Sequence, residues 1–393
     1  MSKPEVFIVA AKRTPIGAFQ GALSDVPATR LGATAITAAL EASGLSADDV
    51  EETFMGNVLT AGLGQAPARQ AAKYAGIPDS VPATTVGKVC GSGLQSVVFG
   101  AKSILLGDAS VVVAGGMESM TQAPYLLPKA RGGYRMGHGQ VQDSMILDGL
   151  WDPYNDQHMG NCGELCAKEY GFTREAQDEF SKQSYQRALA AQESKAFDAE
   201  LTPVTIQTRK GDVVVSEDEE PKRARLEKMP SLRPAFDREG TITAANASKI
   251  NDGASALVLA SGDVVKAKGL KPIAKLVGYA GHAQAPEWFT TAPVAAMKSL
   301  LDKTGLKASD IDLFEVNEAF AVVAMAAMKD VGFEREKLNV HGGAVSLGHP
   351  IGCSGARILT TLIHALHGKG GQRGMASICI GGGEALAVVV ERV

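Results

Sequence analysis

CGSGLQSVVFGAKSIL (90–105) leading to VVVAGGME (111–118), and GCSGARILTTLIHAL (352–366) leading to ASICIGGGEALAVVV (376–390), are two versions of one pattern. Each is a small-residue turn, then an amphipathic helix, then an apolar strand running into glycines. The helical spacing is carried by Leu94, Val97, Val98, Ile104 and Leu105 in the first and by Ile358, Leu359, Leu362, Ile363 and Leu366 in the second. A duplicated α/β half accounts for both; two independent uses of a common βα pattern is the competing reading. Outward from these segments, Val6–Ala10, Val111–Ala114, Ala256–Leu259 and Ala385–Val390 are continuous β-branched or small apolar runs, the pattern of strands covered on both faces. With Ala-rich helical stretches between them, they predict a layered α/β fold. The stretch 121–243 is richer in charge, with Met136, Met145 and Met159 interspersed, and reads as an insertion carried on the first half.

The chain's 393 residues exceed what one hydrophobic core usually supports, in keeping with a duplicated unit. A net charge of −4 supplies no basic field for a phosphate backbone, which argues against a nucleic-acid partner. Five cysteines, an odd number scattered through a long chain, do not form a disulfide framework and suit a reducing compartment. MSKPEVFIVAAKRTP runs straight into a strand, with no apolar signal core or Arg-rich transit helix, so the expected location is the cytoplasm. The apolar runs at Val111–Val113 and Ala385–Val390 are too short to span a bilayer, and no membrane partner is expected.

Four places carry chemistry. Cys90 follows a short β-like segment and opens a helix, so its sulfur is expected to face unpaired N–H groups and the positive helix end, which favour thiolate. His349, followed by Pro350 in the loop before the second copied helix, is placed as a general base on irregular backbone. Cys379 ends a strand and precedes Gly381, Gly382 and Gly383, whose N–H groups suit a developing oxyanion. Asn317 and Glu318 interrupt an apolar stretch, and buried polar groups there need partners or a functional reason. For each, an ordinary packed or solvated side chain is the alternative. Cys90 and Cys379 lie on different elements of the two copies, so a shared site falls where the halves meet, with one nucleophile and one acid/base for a two-step acyl transfer.

Other patterns are weaker. His158, Cys162 and Cys166 share a helical face but lack a fourth ligand for tetrahedral zinc. Gly352 to Ala356 approaches the G-x-S-x-G elbow without its preceding strand or final glycine, which argues against a hydrolase. Gly62 and Gly64 lack the third glycine of a dinucleotide loop. Lys222, Arg223, Arg225 and Lys228 form a basic group able to engage a phosphate, although a solvated charged face reads equally well. His341 is assigned no role.

Taken together, VCGSG around Cys90, NEAFA from Asn317, GGAVSLGHPIGCSGAR around His349 and CIGGG around Cys379 resemble the thiolase family in order and spacing over nearly the whole chain. GGMESM, SLRPAF, TAANAS and NDGASA fall where that family has them too. The resemblance implies a five-layer αβαβα fold of two similar halves, 1–268 and 269–393, with a loop domain at about 121–243, assembled as a homotetramer. Within the family it is strongest to the short-chain, mitochondrial-type acetoacetyl-CoA thiolases. It therefore implies reversible condensation of two acetyl-CoA to acetoacetyl-CoA and CoA through an acyl-cysteine; a broader-range degradative 3-ketoacyl-CoA thiolase is the alternative.

By the same resemblance, Cys90 accepts the acyl group, His349 activates it and Cys379 moves the α-proton. His349 with a water on Asn317 holds one oxyanion, and the N–H groups of Cys90 and Gly381 hold the other. Ser248, His158, Met159, Ala319 and Phe320 line the CoA and acyl channel, with Arg223 and Lys228 near the nucleotide. No prosthetic group is implied, but a potassium ion beside CoA is, held by Tyr154, Ala244, Ala245, Ala247 and Val345. One departure stands out: Thr290 replaces the proline expected after Trp288 and Phe289 in relatives that accept 2-methyl-branched substrates.

Overall fold

The computed structural model describes residues 5–393. Its main sheet path runs Leu313–Val316, Arg373–Ile380, Glu384–Arg392, Ala274–Ala283, Val6–Arg13, Asn251–Ser261, Val111–Ser119, Glu52–Gly56, Ala83–Val86. The duplication expected from the helix–strand repeats extends to this topology. Glu52–Gly56 is parallel to Val111–Ser119, which is antiparallel to Asn251–Ser261, itself antiparallel to Val6–Arg13. In the other half, Leu313–Val316 is parallel to Arg373–Ile380, then antiparallel pairs follow to Glu384–Arg392 and Ala274–Ala283. The halves join along the sheet where Phe7 pairs with Lys275 and Ile8 with Ala274.

The alternation of strand side chains explains why whole runs are apolar. Val111 and Val113 pack outward with Leu31, Ile36 and Met55, whereas Val112 and Ala114 pack inward with Leu94 and Val97. Likewise Val388 and Val390 face the inner cluster with Ile358 and Leu362, while Val389 faces the outer one with Met297 and Leu300. The result is helices Ala28–Ser43 and Pro67–Tyr74 outside one half-sheet, helices Ser92–Leu106 and Ile351–Lys369 between the half-sheets, and helices Ala292–Thr304 and Ala321–Val331 outside the other.

The two central helices touch backbone to backbone. A Cβ on Gly93 would lie 2.8 Å from the Ala356 nitrogen, and one on Gly355 would lie 2.5 Å from the Leu94 nitrogen. Only a residue without a side chain permits that approach. The stretch Val89–Leu106 is long and apolar enough to cross a membrane, unlike the two shorter runs considered from sequence; here that apolarity is used against the facing helix and the flanking strands.

Between the half-strands, residues 121–243 carry helices Met159–Tyr170 and Arg174–Glu193 and the hairpin Val204–Thr208 with Gly211–Val215. The buried Arg13 guanidinium ties this region to the first strand through Glu200 (2.6 Å) and Asp218 (2.7 Å).

Candidate active site

The turn before helix Ser92–Leu106 fixes Cys90. Val89 sits at φ 43°, a left-handed conformation that a β-branched residue rarely adopts, and the strain lifts the next residue out of the helix line. Ser92 holds the turn from inside, its hydroxyl accepting from the Lys88 N–H (2.8 Å) and donating to the Val89 carbonyl (2.7 Å). A Cβ on Gly91 would lie 2.4 Å from the Ile380 side chain, so the glycine lets the end of strand Arg373–Ile380 press against the turn. Cys379, fully buried at that strand end, thereby comes beside Cys90.

The backbone N–H groups of Gly381 and of Cys90 itself face the Cys90 sulfur. The sequence reading expected these donors and the helix end to favour thiolate. Burial outweighs them, helped slightly by the charge of Glu118, and pushes the Cys90 thiol up to about 11. The nucleophile therefore rests as a thiol and must hand its proton to a base. Burial also raises Cys379 well above an ordinary thiol, with Cys90 adding to the shift.

His349 provides that base. The Ser354 hydroxyl donates to the Pro350 carbonyl (2.9 Å), which leaves the His349 Nδ1–H to donate to Ser354 Oγ (2.6 Å). The Nε2 lone pair then remains, and that atom is buried without a protein partner. Burial, reinforced by the Arg357 charge, lowers the imidazole to about 3, so it is neutral at physiological pH. The His349 backbone N–H is held by Asn251 Oδ1 (2.9 Å).

Asn317 is fully buried with neither amide atom partnered among the described residues, as fits a group kept for a ligand. Its neighbour Glu318 is structural: it accepts from Ser184 (2.7 Å), Asn339 (2.8 Å) and the Val345 N–H (3.2 Å).

Cys90, His349 and Gly381 open onto one cavity of about 300 Å³ whose walls include His158, Met159, Ser248, Ala319 and Phe320. His158 caps helix Met159–Tyr170, its Nδ1 accepting from the Gly160 N–H (3.0 Å), and its ring stacks on Phe236 at 4.7 Å. Phe236 and Phe289 both meet Phe320 edge-on, completing an aromatic wall. Among the described residues no cluster of three or more His, Cys, Asp or Glu could hold a metal, so His158, Cys162 and Cys166 form no such group.

Arg223 and Lys228, expected near the nucleotide rather than in the acyl channel, lie outside this cavity: Arg223 is more than half exposed and bonds Glu219 (2.9 Å), and Lys228 lies in the 3₁₀ turn Leu226–Ser231. One sequence assignment is corrected. The potassium ligands do not fit a potassium ion. The Ala244, Ala247 and Val345 carbonyls accept from the Lys249 ammonium (2.7, 3.1 and 3.3 Å), and Tyr154 is exposed. A metal cation at that spot would meet a like charge. Lys249, Ser354, Val89 and Glu118 were not singled out as site residues. Buried Glu118 accepts from the Val58, Leu59 and Gly352 N–H groups and from Asn57, joining the first half to the start of the second central helix.

Profiles described as "Thiolase, N-terminal domain" and "Thiolase, C-terminal domain" match residues 6–263 and 270–392. The chain belongs to the thiolase family. It is 54% identical to Acetyl-CoA acetyltransferase 1 of Arabidopsis thaliana over 390 residues, covering 98% of this chain and 94% of that one. It is 51% identical to the Acetyl-CoA acetyltransferase of Cupriavidus necator, covering 99% of each. Among solved structures, the Acat5 thiolase from Ascaris suum in complex with coenzyme A superposes with a TM-score of 0.95 at 46% identity, covering 99% of this chain and 100% of that one. The two half-sheets and three helical layers are thus the thiolase fold, and the cavity at their seam is this thiolase's candidate active site.

Proposed function

We propose that this thiolase is an acetyl-CoA C-acetyltransferase that reversibly condenses two acetyl-CoA into acetoacetyl-CoA and CoA. The observation that carries the reading is the convergence of a thiol, a neutral imidazole lone pair and two backbone N–H donors on one small apolar cavity, with a second thiol behind. His349 Nε2 takes the Cys90 proton as the sulfur attacks the thioester carbonyl, and the N–H groups of Cys90 and Gly381 hold the oxyanion. Loss of CoA leaves acetyl-Cys90; the departing sulfur takes its proton from Cys379, which is left as thiolate, while His349 keeps the proton from Cys90. Cys379, as thiolate, then removes an α-proton from the second acetyl-CoA, whose enolate oxygen is stabilised at His349 and Asn317. The enolate carbon attacks acetyl-Cys90, forms the carbon–carbon bond and returns Cys90 as the leaving group.

The wall of Phe236, Phe289 and Phe320 supports a short acyl chain, since aromatic rings packed edge-on leave little room beyond a few carbons. Ser248 and His158 are the groups placed to meet the thioester arm. A cytoplasmic homotetramer is part of this reading. Exposed apolar side chains of the insertion, among them Tyr125, Leu127, Met136 and Ile146, support its use in assembly.

The experiment is CoA-dependent cleavage of acetoacetyl-CoA beside a 3-ketoacyl-CoA of six to ten carbons, with Cys90→Ala as control. A strong preference for acetoacetyl-CoA is expected. Comparable rates would instead make this a broader-range degradative thiolase. Incubation with acetyl-CoA should place one acetyl group on Cys90 by mass spectrometry, and Cys379→Ser should still acylate while losing condensation.

A further inference from the structure

We infer that Lys249 is a tethered monovalent cation, the chain's own replacement for a metal ion, and that it positions the wall of the acyl cavity. The Nζ has three N–H bonds and three carbonyl acceptors, Ala244 (2.7 Å), Ala247 (3.1 Å) and Val345 (3.3 Å), so its donor capacity is matched. It lies over the Tyr185 ring at 5.5 Å, and the carboxylates of Glu220 and Glu318 act on it from two further elements. Neither carboxylate forms an ion pair with it: Glu318 is engaged by Ser184, Asn339 and Val345, and Glu220 approaches Asn251. A ring of carbonyl oxygens, a π face and carboxylates at longer range is an environment for a compact single positive charge.

The three carbonyls belong to two separate stretches of the chain. Ala244 and Ala247 lie in the segment that leads into Ser248, whose N–H is held by the Ala319 carbonyl (2.9 Å). Val345 lies on the short helix Ala344–Leu347, four residues before His349. Lys249 also lines the cavity itself. The ammonium therefore fastens the substrate-facing segment to the segment leading to the base, and touches neither reacting sulfur.

The inference rests on the cavity being the CoA-thioester site, and its test has a readout that does not need turnover. The wild-type protein should show the same acetoacetyl-CoA KM, kcat and Tm in potassium, sodium and choline chloride at equal ionic strength. Lys249→Ala removes the ammonium and leaves the carbonyl ring, so KM should rise by about tenfold, the loss of one to two charge-assisted bonds, with a smaller change in kcat. Ammonium or potassium ions should then lower KM and raise Tm in the variant, and thallium-205 NMR should detect the bound cation. Lys249→Met, which fills the space, should show the higher KM without rescue. A wild-type Tm or KM that responds to potassium over sodium would overturn the inference. So would a folded Lys249→Ala protein in which no small cation changes KM or Tm. Failure of wild-type cleavage would instead remove the functional reading and leave the Tm and NMR results standing.

Discussion

His349 Nδ1 and the Ser354 hydroxyl lie 2.6 Å apart, one on the loop and the other in the first turn of the helix that follows. Because Ser354 spends its own proton on Pro350, the imidazole is held with its proton on Nδ1 and its lone pair toward the cavity. Ser354→Ala removes the acceptor and frees the other tautomer. We expect kcat to fall by about tenfold, the value of one hydrogen bond to a group that becomes charged, with KM little changed. Ser354→Thr should recover part of the loss; kcat equal to wild type in the alanine variant would show that the bond does not orient the base.

The depressed imidazole also has a stability signature. Unfolded, His349 titrates near 6.5; folded, it resists protonation down to about 3. The unfolded state therefore binds the extra proton between these values, and stability falls as pH drops through that window while being unaffected above it. Compared with His349→Asn, the wild-type protein should lose about 2 to 3 kcal/mol more between pH 7 and pH 4.5. Parallel urea-denaturation profiles for the two proteins across that range would contradict this.

At Gly93 the obstruction to a side chain is main chain on every side: the Ala356 nitrogen at 2.8 Å and the Cys353 and Gly352 carbonyl oxygens at 3.0 Å. None can rotate away. Gly93→Ala should cost about 1 to 3 kcal/mol and lower activity as well, since the helix that must shift carries Cys90 at its start. Gly368→Ala, within the facing helix Ile351–Lys369 but with open space around it, tests the same substitution without the clash. Equal denaturation midpoints for the two variants would argue against backbone contact between the central helices.

Phe289 is buried at 3% exposure and braces Phe320 against the cavity. Phe289→Ala should relax the chain-length preference, raising kcat/KM for a six-carbon 3-ketoacyl-CoA relative to acetoacetyl-CoA by about tenfold, as expected for one to two extra methylenes accommodated. An unchanged ratio would place the chain-length limit elsewhere in the wall.

Much of this was legible in the sequence because it is local. The glycine-flanked Cys90, the His–Pro loop and the cysteine before three glycines announce themselves within a few residues, and the two copied helix–strand units gave the layers. Partners set by distant packing were not. Ser354 sits in a segment that approaches a nucleophile elbow, yet its task is to orient His349. The resemblance implies that the carbonyls around Lys249 are ligands for an external ion, and no spacing rule says that a side chain will turn back onto its own backbone. Val89 carries no mark in the sequence of its positive φ.

The contact between the central helices has a thermal consequence. Cys90 lies just ahead of one helix and His349 just ahead of the other, so their separation is gauged by main-chain radii rather than by rotamer populations. Side chains loosen their rotamers on warming, whereas abutting peptide planes have no rotamers to lose. The spacing of nucleophile and base is thus insulated from the softening that precedes unfolding.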